Sequence, residues 1–392
     1  MIDRTLETTL KELSTKYPVV TVTGPRQSGK TTLCRKVFPK KDYVNLENLD
    51  IRQFAIEDPR GFLRNYPEGA ILDEIQRAPD LLSYIQSIVD EAKKDGLFVL
   101  TGSQQFEVSS KINQSLAGRT ALLKLLPFSI EELSGHYDIS SINRMVITGF
   151  YPRIYDKKLD PTTALGDYFE TYVERDLRLL VNIKDLNLFQ KFVRLCAGRV
   201  GQILNLKNLA NDVGISHTTA RSWLTLLEAS YIIFLLQPYY SNISKRLIKS
   251  PKLYFYDIGL ASYLIGLESE LHASRDPLRG NLFENMVVIE ALKYRLHRGK
   301  RNNLCFYRDS GGNEVDMVVT MGSNLFPVEI KAGETVTNDF FKGLKTFKKT
   351  FPANTPLSSG LIYGGESIQM RSDVMVYPVT GVHTMLESIE NE

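Results

Sequence analysis

The octapeptide Gly24-Pro25-Arg26-Gln27-Ser28-Gly29-Lys30-Thr31 has the spacing G-x-x-x-x-G-K-[ST]. Glycines let backbone NH groups turn inward around a polyphosphate, Lys30 sets a point charge against the β and γ oxygens, and the Thr31 hydroxyl suits magnesium. Asp73 and Glu74 close a second apolar run, 70–72, where phosphoryl chemistry calls for an aspartate to organise magnesium and a glutamate to polarise water. Ser103 and Gln104 end a third run, 97–102, as small polar groups able to sense the γ-phosphate. The expected ligands are therefore ATP and Mg2+. Gly24, Pro25, Arg26, Gln27, Ser28, Gly29, Lys30, Thr31, Thr32 and Ser103 would contact the nucleotide, and Thr31 and Asp73 the metal. A second constellation lies far along the chain. Glu329 and Lys331 stand two apart on a strand-like stretch and so share one face, Asp316 ends the stretch before it, and Glu284 sits in a helical pattern. Such carboxylates suit a divalent cation, and such a lysine can orient water for phosphodiester hydrolysis.

These groups need elements to hold them. The β-branched run 19–23 predicts a buried strand before the phosphate loop, and Leu33, Val37 and Phe38 predict a helix after it. Guanine specificity would need N-K-x-D, but residues 182–185 read N-I-K-D, and the D-x-x-G string Asp58–Gly61 follows no apolar strand and reads as a turn. ATP hydrolysis fits better. Further along, 204–236 gives a helix, a turn at Gly214 and a second helix from Ser216, the spacing of a helix-turn-helix. With a basic loop carrying Lys245, Arg246, Lys249 and Lys252, this reads as a winged helix. His217, Thr218, Thr219 and Arg221 are its candidate DNA contacts; the alternative is a module that packs against protein.

Composition narrows the class. The chain has 392 residues, 43% hydrophobic and 24% charged, enough for two or three cores, and its net charge of +3 calls for no whole-chain attraction to nucleic acid or membrane. Cys34, Cys196 and Cys305 are far apart, which suits a reducing cytoplasm. No apolar run approaches the length of about 18 residues that a membrane span needs. Leu6, Leu10 and Leu13 give the N-terminus a helical period instead of the continuous apolar stretch of a signal peptide.

The segments "TGPRQSGKTTL", "ILDEIQRAPDLLSYIQSIVD", "LTGSQQF", "SLAGRTALLKLLPFSIEEL", "YFETYVERDLR" and "KLYFYDIGLASYL" together resemble the prokaryotic AAA-type (AAA_14) ATPases with a C-terminal DUF4143 region. The resemblance covers nearly the whole chain. It implies an α/β chain with a P-loop NTPase core of AAA+ type at 1–135, after which the residue patterns themselves read as a helical lid or linker at 136–195 and a winged helix at 196–262. The last segment, 263–392, resembles the PD-(D/E)xK nucleases, with Val315 in place of their proline, and implies a restriction-endonuclease-like α/β domain with Glu284, Asp316 and Glu329 on metal and Lys331 catalytic. The resemblance also marks Arg119 in "LAGR" and Arg175 in "VERDLR": each is either an arginine finger supplied across a homo-oligomer or a structural ion-pair partner. Two functions follow. One is an ATPase acting on DNA. The other is a nucleotide-driven switch whose C-terminal modules bind proteins and do not cut DNA.

Overall fold

The computed structural model describes residues 2–103, 115–176, 183, 185–239, 250–351, 358–371 and 373–391. They form two compact units. The first takes Met1–Phe128, Ala229–Tyr231 and Arg295–Lys300, and the second takes Ser129–Glu228, Ile232–Tyr294 and Arg301–Glu392.

In the first unit, α1 (Leu6–Ser14) leads into β1 (Val19–Thr23), followed by α2 (Lys30–Val37), β2 (Asp42–Asn45), α3 (Leu49–Glu57), α4 (Pro59–Arg64), β3 (Ala70–Asp73), α5 (Leu81–Ala92), β4 (Phe98–Gly102) and β5 (Thr120–Lys124). The strands lie in the order β2-β3-β4-β1-β5, all parallel. β1, β3 and β4 are buried along their whole length, as a parallel sheet covered on both faces requires. One face packs Leu72, Leu100 and Phe98 under Leu82 and Ile85 of α5; the other packs Val20, Val22 and Ile71 under Leu6, Leu10 and Leu33. Parallel strands put all carboxyl ends on one edge, so the phosphate loop after β1, Asp73 on β3 and Ser103 after β4 share it. Asp58 accepts the Gly61 NH at 2.9 Å and caps α4, so the D-x-x-G string, expected as a turn, is the cap and first turn of a helix. Two remote segments complete this unit. The Tyr231 hydroxyl meets Thr23 Oγ1 at 3.1 Å, and the Leu126 NH donates to His297 Nε2 at 3.1 Å.

In the second unit, α6 (Leu186–Ala197), α7 (Leu206–Val213) and α8 (His217–Ala229) precede an antiparallel pair, β6 (Ile233–Leu236) and β7 (Lys252–Phe255). The helix α9 (Arg279–His297) follows. Then come β8 (Leu304–Arg308), β9 (Glu314–Met321), β10 (Asn324–Lys331), α10 (Lys342–Thr350), β11 (Ser359–Tyr363), β12 (Gln369–Arg371), β13 (Val374–Pro378) and α11 (Val382–Asn391). The mixed sheet runs β12-β13-β11-β10-β9-β8, with β8, β9 and β10 an antiparallel meander and β10, β11 and β13 parallel.

The lid, winged-helix and nuclease-like segments read from the sequence lie together in the second compact unit. Buried polar groups tie those segments across the expected divisions. Asp257 accepts the Phe150 NH at 2.7 Å while capping the helix Ile258–Leu264 through the Leu260 NH at 3.0 Å. Asn285 of α9 exchanges two hydrogen bonds with the backbone of Phe255, and the Lys293 ammonium stands 3.9 Å from the centre of the Phe150 ring. Among the described residues no helix is long and apolar enough to cross a membrane, and the three cysteines are buried with no disulfide.

Asp257→Ala should destabilise the second unit by about 2–4 kcal/mol, because it strands two buried NH donors. Scanning calorimetry checks this: an unchanged unfolding midpoint would show that Asp257 does not tie these segments.

Candidate functional site

The phosphate loop is shaped by backbone that few side chains tolerate. Gly24 has φ 150°, and a Cβ there would stand 2.0 Å from the Leu125 carbonyl oxygen. Gln27 has φ 61° and Gly29 φ 91°, the latter immediately before α2. Alternation of left-handed and right-handed residues makes an anion-binding concavity of backbone NH groups, here opening onto a helix N-terminus. Pro25 and Ser28 are buried, Arg26 is half-buried with Glu47 at 3.7 Å, and Gln27 and Thr32 are exposed. Lys30 is 5% exposed and donates to the carbonyls of Gly24 at 3.0 Å and Pro25 at 2.8 Å. Burial lowers its pKa, against the pull of Glu74 and then Asp73.

Asp73 joins the loop to the sheet. Its Oδ2 accepts the Thr31 hydroxyl at 2.8 Å and the Tyr43 hydroxyl at 2.7 Å, and its Oδ1 accepts the Thr101 hydroxyl. A hydroxyl and a carboxylate meeting in this way are the oxygen donors that magnesium takes, so the pair fits the expected cation. Glu74, the next residue, is left-handed at φ 60° and ψ 49°, a conformation that a non-glycine residue holds only when its surroundings enforce it. Its NH donates to Thr101 Oγ1 at 3.2 Å, and its carboxylate accepts the Ser103 hydroxyl at 3.1 Å and the Gln76 side-chain amide. Gln76 also reaches Ser103 at 3.2 Å. Lys30, Thr31, Asp73, Glu74 and Ser103 therefore converge. Tyr43, Thr101 and Gln76 were not singled out by the sequence; their roles follow from β2 and β4 flanking β3.

The arginines behave differently. Arg119 binds Asp90 through Nε at 2.6 Å and Nη2 at 2.8 Å, and its carbonyl accepts the Val19 NH at 3.2 Å. It lies at the amino ends of β1 and β5, the sheet edge opposite its own phosphate loop. Arg175 belongs to the helix Phe169–Asp176, but its side chain, like Gln104 and the wing residues Lys245, Arg246 and Lys249, lies outside the described residues. In the helix pair α7 and α8, Gly214 turns at φ 92°, His217, Thr218 and Arg221 are exposed, and Thr219 is half-buried.

The second constellation also assembles, but around a residue assigned elsewhere by sequence. Lys252, expected in or near a basic wing, is 2% exposed at the start of β7. Its Nζ lies 2.8 Å from Glu284, 2.6 Å from Glu314 and 3.9 Å from Asp316. Lys331 lies 3.0 Å from Asp316 and 2.7 Å from Glu329. The Ile330 NH donates to Asp316 at 2.9 Å, and the Tyr254 hydroxyl donates to Glu284 at 2.6 Å. Burial opposes the charge on both lysines, yet the carboxylates outweigh it and hold both ammoniums above their ordinary pKa. Four carboxyls face two ammoniums and the Arg308 guanidinium, which lies 3.0 Å from Glu314, so full ionisation would leave one negative charge uncompensated. Burial and then Asp316 push Glu284 up to about 7 and Glu329 up to about 8. Among the described residues no three carboxylate, imidazole or thiol side chains are arranged to hold a metal ion. The expected Glu284, Asp316 and Glu329 metal set is thus gathered but taken up by lysines.

Three family models match the chain: an AAA domain over residues 16–134, a domain of unknown function (DUF8612) over 139–271, and another (DUF4143) over 279–382. Uncharacterized proteins of Mycobacterium tuberculosis and Mycobacterium bovis are each 31% identical over 326 residues, 82% of this chain and 71% of theirs. An uncharacterized protein of Methanocaldococcus jannaschii is 21% identical across 97% of this chain and 86% of its own. Among solved structures, a Walker-type ATPase of Pyrococcus abyssi aligns at TM-score 0.42 and 16% identity, over 67% of this chain and 96% of that one. A signal-transduction ATPase with numerous domains from Pyrococcus horikoshii aligns at TM-score 0.22 and 12% identity, over 74% and 46%.

The raised carboxyls make stability depend on pH. Glu284 and Glu329 keep their protons to higher pH folded than unfolded, where the ordinary value is 4.5. Their contribution is complete below about pH 4.5 and is lost as pH rises through about 7 and about 8. Glu329→Gln, which cannot ionise, should flatten the fall of the unfolding midpoint between about pH 5 and about pH 9. Equal slopes in parent and variant would show that the cluster does not titrate in this window.

Proposed function

Because the chain belongs to the family that joins an AAA domain to a DUF4143 region, we propose that its first unit binds and hydrolyses ATP. The observation carrying this reading is the 2.8 Å hydrogen bond from Thr31 to Asp73, which joins the phosphate loop to an acidic strand end 42 residues away. The loop NH groups and Lys30 hold the β and γ phosphates. Thr31 and Asp73 would hold Mg2+, which would neutralise charge on those oxygens. Glu74, fixed by Gln76 and Ser103, polarises the attacking water, and Ser103 links that carboxylate to the γ-phosphate. Arg119 or Arg175 acts as the finger in trans, on a neighbouring copy's nucleotide, which makes the working form a homo-oligomer.

For the second unit, the helix-turn-helix spacing supports docking of duplex DNA by a winged helix through His217, Thr218, Thr219 and Arg221, with the PD-(D/E)xK-like sheet beside it. A second reading, a nucleotide-driven switch whose modules bind protein and do not cut, gains support from the lysines that fill the acidic cluster.

Lys30→Ala should abolish ATP binding, whereas Glu74→Gln should bind ATP and turn it over at least about a hundredfold more slowly. Unchanged turnover in the Glu74 variant would remove it from this role. The DNA reading is checked separately by ATPase rate with and without duplex: stimulation supports it, and an equal rate favours the switch. Mixing Lys30→Ala chains with Arg119→Ala or Arg175→Ala chains should restore turnover for whichever arginine acts in trans, and restoration in neither mixture ends that reading.

A further inference from the structure

We infer that the Lys252 ammonium stands where a divalent cation would sit among Glu284, Glu314 and Asp316, so that the PD-(D/E)xK-like cluster is closed to metal and becomes a metal site only when Lys252 is withdrawn. The inference concerns the second unit alone and is independent of ATP hydrolysis.

Lys252 comes from β7, outside the sheet that carries the E-x-K pair, and reaches the cluster fully buried, with the Phe306 ring 5.5 Å away as its apolar cover. An ammonium is a compact point charge with three donors, and here carboxylate oxygens of Glu284 and Glu314 lie within 2.8 Å and one of Asp316 at 3.9 Å. A divalent cation would need those same oxygens at about 2.0–2.6 Å. Two cations cannot share them, since their repulsion at such separations in a buried site far exceeds what it is in water. Occupancy is therefore exclusive.

The cluster is nevertheless built to take more positive charge than it holds. Glu329 is 7% exposed, and its Oε2 is buried without a hydrogen-bond partner among the described residues. Its other oxygen takes Lys331, which also holds Asp316 Oδ2. Four carboxyls face the two ammoniums and, at Glu314, the Arg308 guanidinium at 3.0 Å, so removing Lys252 leaves two more negative than positive groups, the charge a dication balances. Lys252 is thus an internal plug: it satisfies the acids of a metal centre while denying them the metal.

The test is Mn2+ titration of the full chain by calorimetry, in the parent, in Asp316→Asn, in Lys252→Met, which keeps the bulk of the side chain and removes the charge, and in Lys252→Met with Asp316→Asn. Lys252→Met should gain one Mn2+ equivalent that the parent lacks, at least tenfold tighter than any Mn2+ the parent takes up, and the added Asp316→Asn should remove it. Should Lys252→Met not fold alone, Mn2+ should restore its circular-dichroism spectrum and raise its melting temperature. The inference is overturned if the parent already binds Mn2+ in a manner lost with Asp316→Asn, if folded Lys252→Met gains none, or if the unfolded variant is not rescued by the ion. A failure of ATP turnover leaves all of these outcomes untouched.

Discussion

The first unit is organised around one buried carboxylate. Asp73 is 4% exposed, and the groups that satisfy it come from α2, β2 and β4, so its hydrogen bonds fix the phosphate-loop helix, the edge strand and the adjacent strand relative to β3. A buried charge with several donors is stable only if all of them stay in place. The same strand end then forces Glu74 into left-handed backbone, which aims its side chain at Gln76 and Ser103. The position of the Glu74 carboxylate is in this sense a consequence of how Asp73 is held.

The second unit solves a related problem in the opposite way. Its carboxylates are gathered, and two lysines and Arg308 answer them. Such arrangements add little net stability compared with an apolar core, yet breaking one partner costs several kcal/mol because a charge is left buried alone. The cluster joins β7, α9, β9 and β10, the elements that the sequence divides between a winged helix and a nuclease-like domain.

The nucleotide site was legible because its parts are local: a β-branched run, a glycine-bounded loop and acids at the end of an apolar strand each carry their own signal. Tyr43 and Thr101 carry none, because nothing in their flanks says that β2 and β4 lie on either side of Asp73. Glu329 and Lys331 were paired correctly on one face because a strand alternates with period two, and Asp316 joins them through the antiparallel register of β9 and β10. Lys252 was misplaced for a definite reason. It closes a run of basic residues, which reads as a solvated wing, whereas the apolar residues after it make it the first position of a buried strand. Local composition spoke for exposure, and the acids that draw it inward are 32 to 64 residues further on, Glu284 the nearest and Asp316 the farthest.

The first unit is closed by Ala229–Tyr231 and Arg295–Lys300, with Tyr231 on Thr23 and His297 on the Leu126 NH. During synthesis, therefore, the nucleotide-binding sheet leaves the ribosome well before the residues that finish it, and 171 residues separate Leu126 from the His297 ring that caps its NH. The intervening segments, which build most of the other unit, are free to form in that interval. The sheet of the first unit is thus sealed only when a distant segment has been made, and a product that stops in the middle region would carry the phosphate loop without the residues that seal the sheet behind it.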